Sequence, residues 1–251
     1  MNAAAKLEKP HAMEVDKTGS RVRDMFSQIA PRYDLMNHLL SLGIDIRWRK
    51  KTLRHMSFTG SKPVLDCCTG TGDLALMIAA ASAGKFDVVG TDFCEPMLEL
   101  ARKKSAKTSG HAKEIDFIEA DTQAIPFDDN HFQAVTCAFG LRNVQDTLAG
   151  LREMVRVTEK GGQVGVLEFS QPTMPVLRSV YQGYFRHVLP RVGQMMARND
   201  QSAYEYLPNS VVQFPSGDDF VALMHEAGLE NCSTYPMTLG VASLYLGHVS
   251  R

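Results

Sequence analysis

The chain is 251 residues long, enough to bury a substantial core in one α/β domain with an N-terminal extension. Its hydrophobic fraction of 44% and charged fraction of 22% belong to an ordinary globular protein. A formal net charge of -1 lacks the basic excess of a domain that grips nucleic acid by neutralising phosphates, so no nucleic-acid partner is expected.

The cysteines, Cys67, Cys68, Cys94, Cys137 and Cys232, are odd in number and hold no C-x-x-C pair, and the histidines form no H-E-x-x-H. Neither a disulfide framework nor a metal site is therefore expected. The segment Met1 to Arg23 is polar and lacks an apolar signal core. No apolar run approaches the ~20 residues that cross a bilayer. These features predict a cytoplasmic protein whose membrane contact, where it exists, is peripheral at the inner face.

In chain order, residues 1–20 read as a flexible tail. Residues 21–60 read as a helical cap, with Val22, Met25, Phe26 and Ile29 on one face, an interruption at Pro31, then Leu35, Met36, Leu39, Leu40 and Leu42. Gly60 and Pro63 mark the start of the main domain, 61–251. There Val64–Cys68 predicts a buried strand, Leu74–Ala83 a helix and Phe86–Thr91 a strand. Pro96–Lys104 predicts a helix with proline in its first turn. Strands follow at Ile115–Glu119 and Phe132–Ala138, then a helix at Thr147–Val157 closed by Gly161-Gly162, and a strand at Gln163–Phe169. Residues 172–200 read as a helical insertion. Asp218–Glu226 predicts a helix, and Glu230–Tyr235 with Val241–His248 a closing hairpin. The alternation predicts a mostly parallel sheet with helices on both faces.

The sharpest local signal is the strand-to-helix turn Asp66-Cys67-Cys68-Thr69-Gly70-Thr71-Gly72-Asp73. Glycines there let backbone approach a ligand. A dinucleotide fingerprint needs a third glycine, and Ala75 occupies that place. S-adenosylmethionine (SAM) carries no phosphate, so the shorter turn suits it. Asp66 is placed to receive the cofactor's ammonium, directly or through water. Asp92, 20 residues after Gly72, is placed to accept from the ribose hydroxyls, and Asp121, followed by Thr122, to meet the adenine amino group. Plainer uses exist: Asp66 can cap the turn and Asp92 the next helix. NAD binding is the competitor within the fold.

Three further segments carry a resemblance. They are Tyr33-Asp34-Leu35-Met36-Asn37-His38-Leu39-Leu40-Ser41 with Gly43-Ile44 and Trp48, then Phe139-Gly140-Leu141-Arg142-Asn143-Val144, then Arg156-Val157 through Gly161-Gly162 to Leu167-Glu168-Phe169-Ser170. From about Arg21 onward the chain resembles the demethylmenaquinone and ubiquinone-precursor (2-polyprenyl-6-methoxy-1,4-benzoquinol) C-methyltransferases. The resemblance implies a Rossmann-like class I SAM methyltransferase fold, with a seven-stranded, mostly parallel sheet and an antiparallel C-terminal strand. It implies methyl transfer from SAM to a ring carbon of a reduced, polyprenylated quinone, demethylmenaquinol or the benzoquinol. The SAM contacts carried over by position are Thr71, Asp92 and Asp121-Thr122, joining Asp66, Gly70 and Gly72. Asp45 departs from the family's usual histidine, and Lys160 from its usual proline.

A phenol has pKa ≈ 10, and its ring carbon becomes nucleophilic when the proton leaves. Arg142, after the fourth strand, is expected to stabilise the phenolate, since guanidinium cannot readily act as a base. Asp34 and Glu168 are candidate bases, with Tyr33 and His38 as helpers. An ion pair for Arg142, helix capping for Tyr33, Asp34 and Asn37, and packing for His38 are the plainer roles. The apolar stripe of 172–192, with Arg178, Arg186, His187 and Arg191 among it, is either core or a doorway for the isoprenoid tail at a lipid surface. A homodimer is allowed. The alternatives to quinol methylation are another small hydrophobic acceptor, a SAM-binding protein without turnover and, last on charge, RNA methylation.

Overall fold

The computed structural model describes residues 16–110, 115–172, Gly183 and 201–250. Strands β1 (Val64–Cys67), β2 (Val88–Asp92), β3 (Asp116–Glu119), β4 (Phe132–Ala138) and β5 (Thr158–Phe169) run parallel. Strand β7 (Ala242–Val249) runs antiparallel to both β5 and β6 (Leu229–Met237). The sheet has seven strands in the order β3-β2-β1-β4-β5-β7-β6. The order reverses between β1 and β4, which opens a crevice beyond the carboxyl ends of the parallel strands.

Each strand feeds both faces, because side chains alternate along it. On one face Val64, Ala134, Leu167 and Leu244 meet helices α3 (Ile44–His55), α4 (Asp73–Ser82) and α5 (Glu95–Lys107) through Trp48, Leu74, Ile78 and Leu98. On the other, Leu65, Val135, Val166 and Tyr245 meet α6 (Thr147–Val157) and α8 (Asp218–Glu226). Leu151, Met154 and Val157 repeat at three-residue spacing and form the buried stripe of α6. Burying a side chain of this size is worth about 1.5–3 kcal/mol.

The N-terminal segment is helical as expected. It comprises α1 (Gly19–Ile29), a 3-10 turn Ala30–Arg32 where Pro31 sits, α2 (Tyr33–Leu40) and α3. It is integral to the core, since Trp48 packs on Phe139 and Phe169 and its Nε1 donates to Thr238.

Two elements differ from expectation. Gly161-Gly162 does not close α6 but lies inside β5, which begins at Thr158. The helix ends instead because Thr158 turns to extended backbone while its hydroxyl donates to the Met154 carbonyl at 2.6 Å. Helix α7 (Gln201–Gln213) has no counterpart among the predicted elements, and Pro208 lies within it. The insertion residues Arg178, Arg186, His187 and Arg191 lie outside the described residues, as do residues 1–15.

Candidate active site

The turn after β1 begins the site. Asp66 lies opposite Thr136 in the parallel register of β1 and β4. Thr136 Oγ1 donates to its Oδ1 at 2.7 Å and Thr69 Oγ1 to its Oδ2 at 2.6 Å. Gly72, the residue before α4, has φ of +83°, and a Cβ there would stand 3.0 Å from the Ala101 Cβ. Gly140 at the end of β4 passes so close to the turn that a Cβ would meet the Cys68 Cβ at 2.2 Å. Cys68 and Phe139, at φ of 49° and 60°, adopt left-handed backbone on the two sides of this approach. Strain of this kind collects where a site fixes the chain.

Asp92 ends β2. Its carboxylate accepts from Gly70 N and Cys94 N, each at 2.9 Å, and so ties the glycine turn to the next strand. Burial raises Asp66 and Asp92 from an ordinary 3.8 to about 6, against the hydrogen bonds each accepts. Asp121 is exposed and accepts from Gln123 N, while Thr122 is buried with its hydroxyl 3.2 Å from Cys68 Sγ. Asp66, Gly70, Thr71, Asp92, Asp121 and Thr122 all line one cleft at this edge of the sheet. Gly72 lies behind the wall and shapes the turn.

The helical cap closes a second wall. Lys104 on α5 holds Asp34 at 2.7 Å and Asp73 at 2.6 Å, and donates to Thr71 Oγ1 at 2.9 Å. Thr71 in turn donates to Asp34 at 2.5 Å. Asp34 is thus engaged by a lysine and a hydroxyl, which makes it a clamp between cap and turn rather than an open base. Asp45 is buried and accepts from Arg49 at 2.6 Å and Ser41 at 2.5 Å, with His38 Nδ1 at 3.0 Å. Burial pushes its carboxyl up, but Ser41, Arg49 and His38 outweigh this and hold it below its ordinary value. Ligand atoms of His38, Asp45 and Asp73 lie within 4.8 Å of one another, yet Arg49 and Lys104 already supply positive charge there.

Within the 3-10 turn Leu141–Asn143, Arg142 forms a buried ion pair with Glu168 of β5, Nη1 to Oε1 2.9 Å. Glu168 is fully buried and also accepts from Phe169 N at 2.9 Å, while Arg142 Nη1 donates to the Phe139 carbonyl as well. Burial works against the Arg142 charge, but Glu168, Tyr33 and Tyr206 more than offset it and raise its pKa. Glu168 therefore holds Arg142 charged and is not open as a base. Tyr33 lines the cleft and its phenol is pushed up by burial, so it acts as a neutral hydrogen-bonding group. Arg142 Nε and Asn143 Oδ1, both buried on this turn, have no hydrogen-bond partner among the described residues. Buried polar groups normally have one, and each unpaired group costs ~1–3 kcal/mol.

Lys17 and Arg49, which line the cleft, and Lys104, which binds Asp34, Asp73 and Thr71, are absent from the expectations. Arg49 alone carried a readable sign, since it follows Asp45 by one helical turn. The others come together only through the fold.

The carboxylates of Asp66, Asp73, Asp92 and Asp121 face the cleft. A pyrophosphate at the start of α4 would meet Asp66 and Asp73, which disfavours a dinucleotide. A cofactor with an ammonium, a sulfonium and a ribose diol fits this donor set.

The sequence model of the ubiE/COQ5 methyltransferase family matches residues 13–249. The chain belongs to the ubiE/COQ5 methyltransferase family. It is 46% identical over 233 residues to a ubiquinone/menaquinone biosynthesis C-methyltransferase of Geobacter sp. (strain M21), covering 93% of this chain and 98% of the relative. It is 45% identical over 223 residues to the demethylmenaquinone methyltransferase of Thermus thermophilus, covering 89% and 99%. Among solved structures, a SAM-dependent methyltransferase of Thermotoga maritima matches with a TM-score of 0.65 at 16% identity, covering 90% of this chain and 99% of that one. Haemonchus contortus phosphoethanolamine N-methyltransferase 2, in complex with phosphomonomethylethanolamine and S-adenosylhomocysteine, matches with a TM-score of 0.59 at 13% identity, covering 82% and 53%. At these identities the likeness concerns the fold, and it is the class I SAM methyltransferase fold expected for the ubiE/COQ5 family.

Proposed function

We propose that the protein methylates a ring carbon of a reduced, polyprenylated quinone, with SAM as methyl donor and demethylmenaquinol as acceptor. Membership of the ubiE/COQ5 family supports the reaction, and the name of the Thermus relative supports the naphthoquinol. The name of the Geobacter relative favours a second acceptor, the benzoquinol of ubiquinone biosynthesis. Asp66, Asp92, Asp121, Thr122 and the Gly70–Gly72 turn are the residues that would hold SAM. Bound there, SAM supplies a methyl group on a positively charged sulfur.

The observation that supports the acceptor side is the pair of unpaired polar atoms, Arg142 Nε and Asn143 Oδ1, on one 3-10 turn whose Asn143 lines the cleft. A quinol oxygen set among them meets a buried guanidinium that stays protonated. A nearby opposite charge lowers a pKa by about 1–3 units, which brings a phenol of pKa ≈ 10 close to neutrality. With Asp34 held by Lys104 and Glu168 by Arg142, water takes the phenol proton, and after methyl transfer it takes the ring C–H proton whose loss restores the aromatic ring. Arg142 acts as the catalytic charge, Tyr33 and Asn143 orient the ring, and Glu168 is a positioning residue. Peripheral membrane contact and a homodimer belong to this proposal as the means of reaching a greasy substrate. Substituting Arg142→Ala is expected to leave SAM affinity nearly unchanged by calorimetry while lowering turnover roughly 30- to 1,000-fold, about 2–4 kcal/mol. Wild-type turnover in that variant removes Arg142 from the chemistry.

A further inference from the structure

We propose that Arg49, carried on α3 and held by Asp45, binds the carboxylate of the cofactor's amino-acid portion. This rests on the SAM assignment above. That end of SAM carries an ammonium and a carboxylate. The cleft offers acidic partners for the ammonium, whereas the cations lining it are Lys17 and Arg49.

The position along the sheet separates these two. Asp121 follows β3 and Asp92 ends β2, so adenine and ribose occupy that side, and the amino-acid end falls at β1, beside Asp66. Arg49 acts electrostatically on Asp66 and on Tyr33, and its guanidinium stands 5.3 Å from the centre of the Phe139 ring at the end of β4. Lys17 instead senses Glu168 and Arg142, at the acceptor end.

Arg49 is also prepared for the task. It lines the cleft from the second turn of α3, and its side chain is 9% exposed. Asp45, one helical turn earlier, takes Nη1 at 2.6 Å and is itself held by Ser41 and His38. A guanidinium has five N–H donors in a rigid fork, so one anchored nitrogen leaves others for a second carboxylate. Asp73 does not fill that place, because it stands 3.9 Å from Arg49 and 2.6 Å from Lys104. Asp45 thereby orients the arginine.

The test is calorimetric titration of the full chain with SAM and with decarboxylated SAM, which keeps the adenosine, sulfonium and amine. Wild type is expected to prefer SAM by roughly 10- to 100-fold, the range for a charge-assisted pair. Arg49→Gln is expected to lose SAM affinity by the same factor and to bind the decarboxylated compound as wild type does. Both ligands carry the ammonium and the sulfonium, so the interaction of those groups with position 49 cancels in this cycle. Equal weakening of both ligands, or of neither, overturns the assignment of Arg49 alone. Absence of SAM binding by folded wild type overturns the SAM assignment and this inference with it. If Arg49→Gln shows no cooperative melt, Arg49→Lys decides: a reduced preference for SAM with unchanged affinity for the analogue supports the inference, and an unchanged preference overturns it.

Discussion

At the scale of single residues, the ion pair of Arg142 with Glu168 governs what substitutions reveal. Removing one partner of a buried pair leaves the other uncompensated and costs about 3–5 kcal/mol, whereas removing both costs far less. Glu168→Ala alone is therefore expected to lower the melting temperature more than the Arg142→Ala/Glu168→Ala double variant, although both lose turnover. A double variant less stable than either single one contradicts this pairing. Asp66 and Asp92 carry a pH dependence. Their carboxyls rise to about 6 in the fold through burial, against an ordinary 3.8. The folded protein thus binds protons more tightly than the unfolded chain, so these groups favour folding below about pH 4, and that contribution is lost as pH rises through 6. A cationic cofactor prefers the ionised carboxylates. Its affinity is predicted to fall about tenfold per group for each pH unit below 6, one to two decades between pH 7 and 5 by calorimetry, and a flat profile contradicts it. The acidic groups at strand ends were legible because strand spacing locates them. The partners of Asp34 and Glu168 were not, because Lys104 and Arg142 reach them only through tertiary contacts.

At the scale of elements, the turn between β1 and α4 is the part on which the site depends. Gly72 combines φ of +83° with contact to Ala101 and Phe117. Gly72→Ala is expected to cost at least about 1–2 kcal/mol from backbone strain alone, and to abolish SAM binding by displacing the turn. A stable variant that binds SAM normally shows that the turn tolerates the change. The cap is tied to the domain by Lys104 through Asp34, Asp73 and Thr71. Lys104→Met is expected to speed hydrogen exchange across residues 33–55 while β1 and β4 stay protected, and uniform exchange would deny the clamp. Alternating apolar runs made these strands and helices readable in advance. The glycine pair misled, because Gly161-Gly162 resembles a helix stop while the helix is ended by the Thr158 hydroxyl. Helix α7 forms around Pro208, a residue unfavourable in a helix interior.

At the scale of the whole molecule, the strand order sets the division of labour. The groups proposed for adenine and ribose sit after β3 and at the end of β2, the one proposed for the amino-acid end on β1, and Arg142 with Glu168 beyond β4 and on β5. Among the described residues no helix is long and apolar enough to cross a membrane. The central claim is methyl transfer from SAM to a quinol ring carbon. It is tested most directly by incubating the protein with labelled SAM and, separately, chemically reduced demethylmenaquinol and 2-methoxy-6-polyprenyl benzoquinol, with products identified by mass. The account predicts a labelled methyl on the ring carbon of demethylmenaquinol. SAM binding without transfer to either quinol contradicts it.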